Sequence, residues 1–233
     1  MVEKWLHINE MGGDTWVLPI WSAVIEATRS GDIDPLPKEV SELGLYISTR
    51  LNILPRIIVR INSEVKELFL AAKSHENKHE FNSAKQGYAF TIDTNLKYNL
   101  LMDIDSILFE LNSVCELMVT LFEKLYFHAG KPIVKGKVGL EVKRLIEKAG
   151  QDAGWFQNLD NHRNFFIHEG APYIAIDISK GVGKYDLIIM KKNLKSFDDP
   201  KDYIMLSEIN QIVHGFALAK SVIQKSLITL FNK

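Results

Sequence analysis

Residues 91–127, TIDTNLKYNLLMDIDSILFELNSVCELMVTLFEKLYF, decide the architecture. Leu101, Ile104, Leu108, Leu111, Cys115, Met118, Leu121 and Leu125 recur every three or four residues. That period places them on one stripe of a long helix that must face other helices. Gly130 and Pro132 end the pattern, because proline removes a backbone donor and clashes with the preceding turn.

Working towards the N-terminus, a second long helical pattern covers 38–81, with Leu43, Ile47, Leu51 and Leu54 on its apolar side. Pro55 is expected to kink or divide it, and Lys85-Gln86-Gly87 should break the chain between the two long helices. A connector rich in breakers, Gly31 to Pro37, precedes the pattern. Before that, Asp14 or Thr15 is the expected N-cap of a helix running to about Arg29.

Working towards the C-terminus, helices are expected over 139–149, 155–169 and 207–231. Gly170 stands where a glycine cap would end the second of these, and Pro172 prevents its continuation. Between the last two helices the apolar period changes from 3.6 to 2. Residues 173–178 and 185–190 read as strands joined by a turn at Lys180-Gly181-Val182-Gly183-Lys184. The fold class is therefore mainly all-α: an antiparallel helical bundle with one inserted β-hairpin near 173–190. Residues 1–85 read as an N-terminal helical extension packed on a core formed by 86–233.

Composition narrows the function classes. The chain has 233 residues, 46% hydrophobic and 24% charged, enough to bury a core without disulfides or a structural metal. Cys115 is the only cysteine, so no intrachain disulfide can form, and a reducing, cytoplasmic setting is expected. The first residues lack the apolar stretch of a signal peptide, and no run of about 20 apolar residues would span a bilayer. The formal net charge is −1. Global charge therefore does not mark a nucleic-acid binder, and contact with a polyanion would need a local basic patch.

Three motifs invite chemistry and are better read otherwise. His75-Glu76-Asn77-Lys78-His79 matches H-E-x-x-H, in which two histidines share a helix face around zinc and the glutamate acts as base. Here Lys78 sits between the ligands, the flanks are polar and no third-ligand motif follows, so an exposed helix end is favoured. A zinc hydrolase using His75, Glu76 and His79, with His128 or Glu110 as third ligand, is kept as the remote alternative; no metal or cofactor is expected. Gly181-Val182-Gly183-Lys184 resembles the end of a phosphate loop but lacks its first glycine and the residue after lysine. Lys180, Lys184, Lys191, Lys192 and Lys195 nevertheless make the hairpin basic. That charge either protects strand edges or makes Lys180 and Lys184 phosphate contacts. Cys115 lies on the apolar stripe and reads as a small core residue.

The segment most suited to chemistry is the helix at 155–169. At about 100° per residue, Trp155, Leu159 and Phe166 fall on one side. Gln157, Asn161, Asn164 and His168 fall opposite, on an arc of roughly 60°. A solvent face usually carries Lys and Glu, whereas this line holds neutral hydrogen-bonding groups; a polar surface or an amide-rich dimer contact would look the same. A histidine can both take and give a proton near neutral pH, and arginine offers a forked cation suited to phosphate. Arg163 points away from the His168 line on an ideal helix, and pairing with Asp160 at i,i+3 would be its ordinary fate.

Arg163-Asn164-Phe165-Phe166-Ile167-His168 resembles the R-N-x-x-x-H motif of the HEPN superfamily. The order of a long helix, a motif helix and a closing helix is also similar, over about residues 86–233. The resemblance implies an all-helical, commonly dimeric domain whose two motifs line one cleft. It implies a metal-independent endoribonuclease, often a toxin or anti-phage component with an antitoxin or other protein partner. Arg163, Asn164 and His168 would then be catalytic, and Gln157, Asn161, His162, Lys180 and Lys184 would contact RNA. The alternative is an inactive HEPN-like dimer that binds RNA, a nucleotide or a protein. Some HEPN toxins carry a tyrosine two residues after the histidine; here Gly170 stands there. The hairpin is also not a general feature of that family.

Overall fold

A computed structural model describes residues 14–76, 91–169, 173–181, 184–192, 194 and 197–232. Six helices and a small sheet follow in the order α1 (Leu18–Arg29), α2 (Lys38–Glu76), α3 (Thr94–His128), α4 (Val138–Lys148), α5 (Trp155–Glu169), β1 (Tyr173–Asp177), β2 (Asp186–Met190), β3 (Tyr203–Met205) and α6 (Leu206–Phe231). The mainly helical class with a hairpin between α5 and α6 is as the sequence predicts. The expected break at 85–87, the Gly170 cap and the boundary at 85/86 lie outside the described residues.

The long α2 and α3 pack against each other. They run antiparallel, since Arg50 meets Glu110 at 2.6 Å while Arg60, further along α2, meets Asp103, further back on α3. Asp93 caps α3, its side chain accepting from the Asn95 N–H at 2.6 Å. The expected stripe is the α3 core: Ile104, Leu108, Leu111, Cys115, Met118, Leu121 and Leu125 are all buried, and Leu101 packs against them half-buried. One continuous hydrophobic cluster takes residues from α1, α2, α3, α5 and α6 together. The first 85 residues thus share the core of the rest where they are described.

Two expectations in this region need correction. Helix α2 is not divided at Pro55, which lies inside it and faces solvent. Leu51, Leu54, Ile57 and Ile61, on either side of the proline, are buried. At about 1.5–3 kcal/mol each, their burial outweighs the roughly 3 kcal/mol that proline costs a helix. Asp14 and Thr15 do not cap α1, whose N-cap is Val17 without a side-chain bond. Asp14 instead joins three elements. Its N–H donates to Asn52 Oδ1 at 2.7 Å, its carboxylate accepts from the Trp16 N–H, and Lys220 Nζ lies 3.1 Å away. The Trp16 indole N–H donates to the Lys220 carbonyl, so the chain entering α1 is fastened to α2 and α6.

The hairpin gains a third strand. β1 pairs antiparallel with β2, Tyr173 opposite Met190, and β2 pairs antiparallel with β3, Ile189 opposite Ile204. Central β2 buries Leu187, Ile188, Ile189 and Met190 in succession, as a strand covered on both faces does. The Ser207 hydroxyl donates to Asp186 at 2.5 Å, tying β2 to the start of α6. The Phe69 and Tyr185 rings meet edge to face at 5.6 Å, which seats the hairpin against the far end of α2.

Helix α5 lies between α3 and α6. Its anchor is Trp155, which packs where Gly215 of α6 leaves room. A β-carbon on Gly215 would sit 2.4 Å from Trp155 Cδ1. Gly139 in α4 has nothing within 4 Å of such a carbon. Gly215→Ala should therefore destabilise the protein by about 1–3 kcal/mol through overpacking, although alanine is the better helix former. Gly139→Ala should stabilise it by roughly 0.4–1 kcal/mol. Denaturant midpoints of the two variants check this; equal stabilisation by both would show that Trp155 is not seated on Gly215.

Candidate functional site

The rotation of α5 follows from its contacts. Trp155 and Leu159 are buried, as expected from the helical wheel. The third core residue is Phe165, at 6% exposure; Phe166 is half-buried at the margin. The ammonium of Lys191, just after β2, lies 4.9 Å from the Phe165 ring centre. Lys191 thus lies over that flank of α5, a contact that a wheel drawn from one helix does not foresee.

The four neutral polar residues are all exposed: Gln157, Asn161, Asn164 and His168. Gln157 Nε2 donates to Asn161 Oδ1 at 3.0 Å, one helical turn on. Arg163 stands on another side, about 140° round the axis from His168. It is half-buried, and its Nε is buried with no hydrogen-bond partner. Among the described residues no ion pair joins it to Asp160. A guanidinium left in this condition costs stability, and arginine's remaining donors suit an anion brought from outside.

His162 turns inward. Its ring lies against the start of α6, with Nε2 3.9 Å from Glu208 Oε2 and 14% of the side chain exposed. Glu208 also accepts from the Met205 N–H at 2.8 Å, which holds its carboxylate at the helix start. Burial pushes the His162 pKa below its ordinary value, and the Glu208 charge offsets only part of this. His162 is thus set apart from the exposed line by position and by its preference for the neutral form.

The hairpin lysines divide. Lys180 and Lys184 are exposed. Lys192 pairs with Asp202 at 2.7 Å, and Lys191 is engaged at Phe165. Lys195 lies outside the described residues. Lys191 is the basic hairpin residue brought against the motif helix, and the turn between hydrophobic strands gave no sign of it.

His75 is half-buried near the end of α2, while His79 lies outside the described residues. Neither candidate third ligand is near. Glu110 pairs with Arg50, which precedes His75 by 25 residues, or about 38 Å along a helix. His128 Nε2 bonds the Asp34 carbonyl at 2.6 Å, before α2 begins. Among the described residues no group of three or more His, Cys, Asp or Glu could hold a metal ion, and no helix is long and apolar enough to cross a membrane. Cys115 is buried, and burial pushes its thiol pKa up, as a structural cysteine requires.

Sequence reasoning missed the polar seam between α2 and α3. Arg60 grips Asp103 with two bonds of 2.7 Å. Asp103 is 1% exposed, the one buried charged residue among those described. Burial and the neighbouring Asp103 charge raise the Glu64 pKa. Asp103 follows Met102 in an apolar run, and only the i,i+4 spacing of Arg60 and Glu64 on α2 hinted at a partner.

Comparison with known protein families, with curated proteins and with solved structures gave no match.

The histidine buried against α6 makes a pH prediction. The unfolded chain protonates His162 near its ordinary pKa of about 6.5, while the folded chain resists protonation. The stability this contributes is complete above that value. It is lost as pH falls through it towards the lower folded value. Between about pH 7.5 and 5.5 the wild type should lose more thermal stability than His162→Gln. Parallel melting curves for the two across that range would place His162 in solvent.

Proposed function

We propose that this chain is a HEPN-like, metal-independent endoribonuclease that works as a homodimer. The observation that carries the reading is the exposed line Gln157, Asn161, Asn164 and His168, together with a half-buried Arg163 on another side of the same helix whose Nε has no partner. The line faces away from Trp155 and Leu159, so it is free to meet a ligand or a second chain.

The chemistry assigns a task to each group. His168 takes the proton of a ribose 2′-hydroxyl, or from the second chain gives one to the leaving 5′-oxygen. The 2′-oxygen attacks phosphorus, the bond to the 5′-oxygen breaks, and the products are a 2′,3′-cyclic phosphate and a 5′-hydroxyl. Arg163 neutralises charge on the non-bridging oxygens, and Asn164 orients the phosphate or the imidazole. Lys180 and Lys184 extend the phosphate contacts along the hairpin. His162 holds α5 on α6 and leaves the substrate to the exposed line.

The separation of about 140° between Arg163 and His168 around the helix supports the dimer. One helix does not bring both groups to one phosphate, whereas two motif helices side by side let Arg163 of one chain serve His168 of the other. Bringing the copies together also concentrates cations that a chain of net charge −1 otherwise lacks.

The test is RNA incubated with purified protein in EDTA. Wild type should cut RNA, leave cyclic phosphate ends and spare DNA of the same sequence. His168→Ala should be slower by about 10²–10⁴-fold. Cleavage that needs a divalent metal, or products with 3′-hydroxyl ends, would contradict the mechanism. Tight binding of intact RNA by wild type would instead support the inactive binding module.

A further inference from the structure

Besides the basic hairpin, a second strong charge asymmetry lies away from α5. Residues 131–148 hold six cations, Lys131, Lys135, Lys137, Lys143, Arg144 and Lys148, against Glu141 and Glu147. This stretch carries +4 in a chain of net −1, leaving −5 for the remainder. Arg144 pairs with Glu141 at 2.6 Å and Lys143 with Glu147 at 3.8 Å. Lys131, Lys135, Lys137 and Lys148 have no ion pair among the described residues, and neither does Lys225 across on α6.

Lys131, Lys137, Lys148 and Lys225 line two neighbouring hollows. One hollow of about 460 Å³ lies between the end of α3 and α4, and a second of about 620 Å³ lies between α4 and α6. Tyr126, Lys131, Leu145 and Lys148 line both, so the two adjoin and form one grooved basic surface. Tyr126 stacks on Phe122 at 4.4 Å, and its hydroxyl meets Ser226 Oγ at 3.3 Å. The walls include Pro132, Ile133 and Val134, the last 65% exposed.

We propose that this groove between α3, α4 and α6 binds single-stranded nucleic acid, its rim lysines on the phosphates and its apolar walls on the bases. A free phosphate or a duplex needs cations but gains nothing from the apolar walls. An unpaired strand offers charge on one side and base faces on the other. The groove is concave, so a flat lipid surface does not fit it.

The site is separate from the motif helix. His162 touches α6 at Glu208, and Lys225 lies 17 residues further on, about 26 Å along the helix. The inference does not rest on the cleavage reading. A strand held here would be an anchor if α5 cuts RNA, and the main binding site if it does not.

The experiment uses anisotropy of labelled RNA and DNA strands of about 16 nucleotides, in EDTA, in a His168→Ala background. That background keeps RNA intact whether or not the wild type cleaves, so failure of cleavage and failure of the groove are read separately. Lys131→Gln/Lys148→Gln/Lys225→Gln should weaken binding at least tenfold. It should also flatten the log–log salt dependence by about 2, at roughly 0.7 for each phosphate no longer neutralised. A control triple of exposed residues elsewhere, Lys38→Gln/Lys66→Gln/Lys201→Gln, should stay within twofold. As a check without mutation, bound strand should shield Lys131, Lys148 and Lys225 from acetylation and leave Lys38 and Lys66 reactive. Equal weakening by both triples, unchanged labelling, or no binding of either strand would overturn the assignment.

Discussion

The packing of Trp155 against Gly215 is the contact on which the candidate site depends. A tryptophan set against a helix backbone at this distance admits no β-carbon, so α5 has little freedom to roll on α6. The Phe156 ring stacks on the same indole at 3.9 Å and Phe216 meets it edge to face at 6.2 Å. With that end fixed, Leu159 and Phe165 are carried into the core and Gln157, Asn161, Asn164 and His168 onto the surface. The indole N–H is buried without a partner, a cost of about 1–3 kcal/mol that burial of a large aromatic surface offsets.

The second constraint is the long α2–α3 pair. It supplies much of the apolar core and places one buried charge, Asp103, against the partly exposed Arg60, with the half-buried pair Arg50–Glu110 further along. Such pairs fix register more than they add stability, because desolvation consumes much of the Coulomb gain. α5, the sheet and α6 then close over one side of this pair. The two regions suited to anions, the α5 surface and the basic groove, sit towards opposite ends of α6. On the proposed reading, a chain whose total charge is close to neutral holds a polyanion through these local regions.

The long-period features of the fold were legible in the sequence. The stripe from Leu101 to Leu125 and the change of period after Pro172 depend only on helix and strand geometry, which neighbours do not alter. Features set by distant parts of the chain were not legible. Tyr203-Ile204-Met205 is too short to carry a period, and it becomes a strand because β2 offers an edge. Asp14 has the composition of a cap, but Asn52 and Lys220 recruit it to other work. Phe165 and Phe166 are adjacent and equally apolar, and the contact of Phe165 with Lys191, 26 residues later, was not readable from the helix alone. The exposed side of α5 was readable because polar amides and imidazole leave a plain angular signature. His162 falls within about 20° of Trp155 on the same wheel, so its inward side was readable too; its neighbour Glu208, 46 residues later in the chain, was not.

Central to the proposed chemistry is that the reacting groups come from two chains, Arg163 of one and His168 of the other. Mixing tests this most directly. Arg163→Ala and His168→Ala proteins, each inactive as a homodimer, are unfolded together, refolded and assayed for RNA cleavage in EDTA. Mixed dimers retain one intact composite site in one of the two positions. A composite site predicts recovery of a substantial fraction of wild-type activity in the mixture and none in either variant refolded alone. Mixed dimers that form but stay inactive, beside a wild type that cuts RNA, would contradict it, as would a wild type that cleaves as a monomer.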